Sequence, residues 1–310
     1  MLEEQFIEYE FRKVPLLVKK HIESDKLKKN LKDRIGKRIK FISDNETAKE
    51  FMSIINHANK ITEDYCYHLM DIGESNSLIS RINFEEINPV KKPFVTIHLK
   101  NFDILNYKDL ENMLKIIYER YKRFSPEYIR FFEFGEQEAG QNFERVDNFV
   151  VGNINNIKKH PQPERYNEVE INKVKDLSFY KKYFEEYTKL KEEEKMFETE
   201  RIESEKDFED YLATGIIYKI KIDNEFAGIY ALKKINMNSL SGFYVVEQVL
   251  FKNFRGHNFA ASVQKKAIDN LTADNDEFIY GNIYPKNKAS LKTAMKCGRY
   301  IAGSYFKLKF

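Results

Sequence analysis

The most constraining feature of this sequence is an apolar stretch that runs through a short polar loop directly into a helical pattern. Residues 243–251 predict a strand, residues 252–258 are polar and include Gly256, and residues 258–270 predict a helix. A helix start leaves several backbone N–H groups without partners, and together with the helix dipole they suit a phosphate group. The segment therefore predicts a strand–loop–helix unit that binds phosphate.

The individual residues of this loop fit such a role. Gly256 lets the backbone approach a ligand without a Cβ, and Asn258 tolerates a left-handed backbone position. Arg255 adds a fixed cation beside the anion, and Ala260 keeps the first helical turn slim. His257 is interpreted as a solvent-facing position that contacts phosphate only if protonated.

The run from Arg255 to Ala260 resembles the pyrophosphate-binding loop of the GCN5-related N-acetyltransferases. In that pattern Arg or Gln is followed by two variable residues, Gly, one variable residue, and Gly or Ala. Arg255 and Ala260 match this pattern, whereas Asn258 stands in place of the second glycine. Asn tolerates the required backbone shape, so the departure weakens the match without removing it.

A second segment, residues 287–298, resembles the second motif of the same family. That motif has an Asn after the fifth strand, a small residue three positions later, and a Gly that closes the helix. Asn287, Ser290 and Gly298 match in register. The resemblance covers residues 165–310 in element order.

The resemblance implies a mixed α/β GNAT-like fold over residues 166–310, with acetyl-CoA as co-substrate. No metal site is predicted, because the histidines are scattered without ligand spacing. The resemblance also implies that the fourth and fifth strands splay apart and that the pantetheine arm of CoA pairs with the backbone of the fourth strand. The residues that it implies for CoA binding are Val249, Leu250, Phe251, Arg255, Gly256, His257, Asn258, Phe259, Ala260, Asn287 and Ser290.

Acyl transfer to an amine needs a group that removes a proton from the amine before it attacks the thioester. Glu247 is the candidate base, because it lies in the strand ahead of the loop, and a surface carboxylate is the alternative reading. The tyrosine that protonates the leaving thiolate in this family falls at Ala294 here. Tyr284 is the candidate replacement acid, with Tyr305 and Cys297 as alternatives.

The first half of the chain predicts a separate α/β domain over residues 1–157. Residues 94–99, 106–123 and 128–134 predict a strand, a helix and a strand in a parallel βαβ unit. The polar, proline-containing stretch 152–167 is the predicted linker.

Two short segments suggest that the halves are related. Residues 99–102, LKNF, and 251–254, FKNF, each precede a helix and a strand. Asp103 takes the place of Arg255 in the first half, and its carboxylate would repel pyrophosphate. The first half is therefore expected to shape the acceptor cleft or a dimer surface as a degenerate GNAT-like repeat, with an unrelated accessory domain as the alternative. A homodimer stays open.

Net charge, apolar runs and cysteine spacing argue against several classes of protein. The net charge of +3 argues against a dedicated nucleic-acid partner, and the basic run 16–40 is interpreted as a solvated helical face. The sequence shows no signal-peptide pattern and no membrane-spanning run, so a cytoplasmic protein is expected. Cys66 and Cys297 lack the spacing of a metal site or a disulfide framework.

The leading hypothesis is an N-acyltransferase that moves an acetyl group from acetyl-CoA to a primary amine by direct attack on the thioester. The acceptor amine belongs to a small molecule or a protein. One alternative is a catalytically silent CoA-binding or regulatory module, kept open by Ala294 and Asn258. Another is a tRNA-dependent aminoacyl transferase on a tandem version of the fold.

Overall fold

The computed structural model describes residues 2–55, 61–73, 75–87, 90–106, 110–135, 143–193 and 201–310. The chain divides into two compact units, each with helices and strands. Unit 1 comprises Met1–Asn148 and Ala302–Phe310, and unit 2 comprises Phe149–Ile301. The predicted mixed α/β class is confirmed.

Unit 1 combines five named helices with antiparallel and parallel strands. Its helices are α1 (Leu2–Lys13), α2 (Leu16–Lys19), α3 (Ser24–Lys40), α4 (Asn45–Ile55) and α5 (Leu110–Tyr121). Its strands are β1 (His68–Gly73), β2 (Asn76–Ile87), β3 (Val90–Lys100), β4 (Tyr128–Phe134), the first part of β5 (Phe143–Asn153) and most of β11 (Tyr300–Lys309). The strand order includes β1-β2-β3-β4-β11.

The predicted βαβ unit of the first half is confirmed. Strands β3 and β4 are parallel, and α5 lies between them in the sequence. The described helix runs from Leu110 to Tyr121, and residues 107–109 of the predicted helix 106–123 lie outside the described part of the chain.

The two faces of the unit 1 sheet differ in character. One face holds an apolar core in which Ile82 of β2, Val95 of β3 and Ile117 of α5 are fully buried. Because side chains alternate along a strand, their neighbours point to the opposite face. Arg81 of β2 lies on that second face, and its guanidinium contacts the ring of Tyr67. Cationic and aromatic side chains therefore meet on the face opposite the apolar core.

Unit 2 begins with the end of β5 and with a helix at Ile154–Lys159, which the sequence does not predict, and from Val169 to Lys296 it follows the predicted succession of elements. Its helices are α6 (Ile154–Lys159), α7 (Tyr180–Glu193), α8 (Glu205–Thr214), α9 (Phe259–Asp269) and α10 (Lys288–Lys296). Its strands are β6 (Val169–Lys173), β7 (Gly215–Ile222), β8 (Glu225–Met237), β9 (Leu240–Leu250) and β10 (Phe278–Ile283), in the order β10-β9-β8-β7-β6.

Two apolar layers cover the sheet of unit 2. On one face, Val263 and Ile268 of α9 pack with Ile279 of β10. On the other face, Tyr183 of α7 and Phe208 of α8 pack in a second cluster. The sheet is therefore buried on both sides, which holds β9 rigidly between two helical layers.

The unit boundary differs from the predicted domain ranges 1–157 and 166–310. Residues 149–157 belong to unit 2, because the amide of Ile154 donates to the carbonyl of Glu277 at 3.1 Å. At the other end, β11 belongs mainly to unit 1, where it pairs antiparallel with β4. The polar segment 152–167 thus belongs to unit 2, where its residues Asn153, Ile154 and Ile157 are buried.

Among the described helices, none combines the length and the apolar composition that crossing a membrane requires.

Candidate functional site

Strands β9 and β10 form a fork. Their parallel pairing runs from Gly242 opposite Phe278 to Tyr244 opposite Tyr280. Both strands continue beyond this point, and the described residues show no further pairing between them. The described pairing on this edge of β9 therefore ends before residues 245–250, where an extended ligand could pair with the strand in place of β10.

A β-bulge lies at the start of this opening. Ala231 of β8 pairs with Glu247 and Leu232 pairs with Val245, so Val246 is the extra residue on β9. Such bulges re-aim side chains and are over-represented next to active sites. The bulge therefore sets the direction of Glu247, the candidate base.

The loop after β9 begins with a short 3-10 turn at Lys252–Phe254. Two residues with left-handed backbone conformation follow this turn. Gly256 has φ +79° and Asn258 has φ +63°. A Cβ placed on Gly256 would meet nothing within 4 Å. The backbone conformation, and not crowding by protein atoms, is therefore what favours glycine at this position.

The first turn of α9 presents unused backbone donors. Asn258 is the N-cap residue, and its side chain makes no capping hydrogen bond. Within the described ranges, no protein acceptor outside the helix receives a hydrogen bond from the amides of residues 258–261. Because Gly256, His257 and Asn258 are exposed, these donors have the arrangement that a helix start offers to an anion.

Two cations near the loop escape the sequence analysis. The Lys296 ammonium lies 3.5 Å from Oδ1 of Asn258. The Arg165 guanidinium donates to the carbonyl of His257 at 3.3 Å, and it also pairs with Glu168. Lys296 therefore brings positive charge from α10 to the start of α9.

A sequence signal exists for one of these cations. Lys288, Lys292 and Lys296 follow at intervals of four residues, which places them on one face of α10. Arg165 lies in the predicted linker, and nothing in its local pattern points to the loop.

Val249 and Leu250, two of the residues predicted to bind CoA, lie at the fork, whereas the amide of Phe251 already has a partner within the protein. Val249 packs with the α7 and α8 cluster, and Leu250 packs with the α9 cluster. The amide of Phe251 donates to the carbonyl of Ala227 at 2.8 Å. Phe251 therefore has no free amide for a ligand in the fork.

Asn287 and Ser290 form the N-terminal cap of α10. The Oδ1 atom of Asn287 accepts a hydrogen bond from the amide of Ser290 at 3.0 Å. This contact explains the spacing of the motif by helix capping. A contact of either residue with CoA stays a prediction.

The candidates for the missing acid differ in accessibility. Tyr284 follows β10 and is 43% exposed, whereas Ala294 is buried. The thiol of Cys297 donates to the carbonyl of Ala261, and burial raises its pKa to about 11. Tyr305 belongs to unit 1. Within unit 2, Tyr284 is therefore the accessible hydroxyl of this set.

Glu247 is held by a buried tyrosine of α7. Its Oε2 atom accepts a hydrogen bond from the hydroxyl of Tyr183 at 2.7 Å, and that hydroxyl accepts from the amide of Glu203 at 3.3 Å. Burial, followed by the charge of Glu247, raises the pKa of Tyr183. Tyr183 therefore stays protonated and fixes the orientation of the carboxylate.

Neighbouring residues of β9 face opposite helical layers. Gln248 donates to the carbonyl of Ala260 at 3.2 Å and accepts from Gln264 of α9 at 2.6 Å. Glu247 faces α7 instead. A ligand bound between the fork and α9 would thus lie on one face of β9, and the Glu247 carboxylate lies on the other face.

Among the described residues, no group of three or more His, Cys, Asp and Glu side chains is arranged to hold a metal ion.

The elements of unit 2 define a mixed α/β protein with forked parallel strands and an uncapped helix start after the first of them. No protein-family model and no curated protein sequence matches the chain. Several solved structures are similar in overall fold, and they include members of the family that the two motifs resemble.

Among these structures is a GCN5-related N-acetyltransferase from Kribbella flavida, at 10% identity and TM-score 0.46, covering 86% of this chain and 94% of that one. The corresponding enzyme from Sphaerobacter thermophilus has 7% identity and TM-score 0.43, covering 77% and 82%. Saccharomyces cerevisiae N-myristoyltransferase with bound myristoyl-CoA has 12% identity and TM-score 0.39, covering 84% and 69%.

Proposed function

We propose that unit 2 is an N-acyltransferase that moves an acetyl group from acetyl-CoA to a primary amine. The observation that carries the proposal is the fork of β9 and β10, which leads into a helix start with free amides. These features offer a strand edge for the amides of a pantetheine arm and donors for a pyrophosphate at its end.

The pyrophosphate end of the ligand is assigned to the loop. The amides of residues 258–261 donate to its oxygens, and Lys296 and Arg255 supply positive charge beside them. Asn258 replaces the usual glycine without loss of the left-handed conformation, since its φ is +63°.

The reaction is assigned to the bulge. Glu247 takes a proton from the acceptor ammonium, directly or through one water, and the free amine attacks the thioester carbonyl. A C–N bond forms, the attacking nitrogen releases its extra proton to solvent, the C–S bond breaks, and the thiolate leaves. Tyr284 is the candidate donor of a proton to the thiolate, with the solvent as the alternative source. Tyr183 keeps the Glu247 carboxylate aimed throughout.

Calorimetry of the full chain with acetyl-CoA tests the binding step. We expect saturable binding, followed by release of free thiol when the protein is incubated with acetyl-CoA and a panel of primary amines. The absence of acetyl-CoA binding would contradict the proposal. If tRNA then bound with a steep dependence on salt, the result would favour an aminoacyl transferase.

A silent CoA-binding module is the second candidate. The observation that favours it is Ala294, a buried residue without a hydroxyl at the position of the usual acid. Binding of acetyl-CoA without thiol release on any amine of the panel would support this candidate over the enzyme.

A further inference from the structure

The polar face of the unit 1 sheet carries an arginine cluster. We use this name for Arg34, Arg38, Arg81 and His98. Arg34 and Arg38 lie one turn apart on α3, Arg81 lies on β2, and His98 is the extra residue of a bulge on β3. The basic run 16–40 thus contributes two members to a site formed by three elements.

The ring of Tyr67 is the centre of this cluster. The guanidinium carbon of Arg81 is 4.6 Å from the ring centroid, and that of Arg38 is 5.3 Å from it. The imidazole of His98 lies 4.9 Å from the same centroid. Arg38 also donates a hydrogen bond to the Tyr67 hydroxyl. Two guanidinium groups and an imidazole therefore converge on one buried ring.

The cluster has more positive than negative charge. Arg34 forms an ion pair with Glu10 at 2.9 Å. The acceptors of Arg38 and Arg81 are neutral, namely the Tyr67 hydroxyl and the side-chain oxygen of Asn83. Within the part of the chain that the structure describes, no carboxylate forms an ion pair with either of these two arginines.

Three nitrogen atoms of the cluster are also buried without a hydrogen-bond partner. They are Nε of Arg34, Nε of Arg81 and Nε2 of His98. Buried polar groups are normally paired, and an unpaired one is destabilising. The two Nε–H groups are unpaired donors, and the imidazole nitrogen is a donor when it carries the proton. An anionic ligand would satisfy such donors.

The electrostatic effect on His98 agrees with this geometry. Burial and then the charges of Arg38, Arg81 and Arg34 lower the pKa of His98 well below its usual value. Burial and Arg38 also lower the pKa of Arg81. The charges of neighbouring arginines therefore act on both His98 and Arg81.

We propose that the arginine cluster binds a phosphate group, as inorganic phosphate or a small phosphomonoester. A dianion matches the two uncompensated guanidinium groups, and the planar guanidinium fork suits phosphate oxygens. A single small anion fits better than a nucleic-acid backbone, because Tyr67 is buried and Arg81 is only partly exposed. The inference is independent of the proposed acyl transfer, since all these residues belong to unit 1.

Thermal unfolding of the full chain in inorganic phosphate at pH 7.5 tests the site against chloride at equal ionic strength. We expect a saturable rise in Tm of about 2–4 °C with phosphate. The rise should disappear in Arg81→Met and Arg38→Met. It should persist in Lys37→Met, which removes an exposed cation from the same helix. An equal rise in Arg81→Met, or none in the native chain beyond that in chloride, overturns the proposal.

NMR of the His98 imidazole provides a second measurement that does not depend on the variants. Phosphate binding should raise the pKa of His98, because an anion offsets the neighbouring guanidinium charges. An unchanged His98 titration in saturating phosphate contradicts the site. Phosphomonoesters and tRNA as competing ligands then distinguish a small phosphate from a polymer.

Discussion

Each unit has a bulged strand that runs beside a parallel strand and is followed by a 3-10 turn and a helix, but the two loops after these strands differ. In unit 2 the loop after β9 has left-handed residues and leads to free amides. In unit 1 the loop after β3 has Asp103, which pairs with Lys13 and accepts a hydrogen bond from Tyr9. Side chains of α1 therefore cover the first loop, whereas the second remains open.

The same succession of elements therefore supports internal packing in unit 1 and the proposed ligand binding in unit 2. A carboxylate in the unit 1 loop is neutralised by its own chain, and Lys100 beside it forms a buried ion pair with Glu133 at 2.7 Å. Such a loop is committed to internal packing. The corresponding loop of unit 2 has exposed residues, and we propose that it binds the pyrophosphate of acetyl-CoA.

The largest expected effect comes from changing the conformation of the open loop. Gly256→Val places a β-branched residue at φ +79°, a conformation that such residues rarely adopt. We expect acetyl-CoA affinity to fall about 100-fold or more, since several charge-assisted hydrogen bonds depend on this loop. Calorimetry measures the change.

Gly73→Val is the matched control. Gly73 has φ +98°, and like Gly256 it has nothing within 4 Å of a Cβ, but it lies in unit 1. The control should lose stability without losing acetyl-CoA affinity. Equal affinities for Gly256→Val and the native chain would remove the loop from the binding site.

The next largest effect is expected at the bulge of β9. Glu247→Gln removes the proton acceptor but keeps the shape, so kcat/KM should fall about 100-fold near pH 7. The deficit should shrink at high pH, where more of the acceptor amine is already neutral. Glu225→Gln, an exposed acid at the start of β8, should leave the rate unchanged. A native rate for Glu247→Gln would exclude Glu247 as the base.

A smaller effect is expected at the covered loop. Tyr9→Phe removes the hydroxyl that links Lys100 and Asp103, so the free energy of unfolding should fall by about 1–3 kcal/mol. Acetyl-CoA affinity should not change. Denaturant unfolding measures the loss, and Tyr118→Phe at a more exposed position provides the control. A change in affinity with unchanged stability would contradict the contrast between the loops.

Much of unit 2 could be predicted because its signals are local. The strand–loop–helix segment depends on backbone conformations that Gly256 and Asn258 encode directly. The unit boundary could not be read in this way. The pairing of β11 with β4 joins residues far apart in the sequence. No local sequence pattern specifies the strand with which β11 pairs.

The missed site residues have the same physical origin. Tyr183 supports Glu247 from a helix that precedes it by 64 positions, and its spacing predicts only a buried helical face. The arginine cluster combines three elements, so the basic run 16–40 alone resembles a solvated surface. Long-range contacts, and not composition, turn these residues into sites.

The smallest expected effect concerns the β-bulges of the two units. His98 is the extra residue on β3, as Val246 is on β9. Among charged groups, His98 is faced by Arg34 and Arg38 from α3 and by Arg81 from β2, and burial adds to their effect in lowering its pKa. The unfolded chain therefore binds a proton near pH 6.5 that the folded chain does not bind.

Stability should consequently fall as pH drops below about 6.5, by at most about 1.4 kcal/mol for each pH unit from this one group. The loss continues until the pH reaches the lowered pKa of His98 in the folded state. His98→Phe should reduce this slope, whereas His160→Gln at an exposed position should not. Denaturant unfolding between pH 5 and pH 8 measures the slopes. An identical slope in His98→Phe and the native chain would show that the cations do not hold His98 neutral. The β3 bulge would then be no more electrostatically constrained than its counterpart on β9.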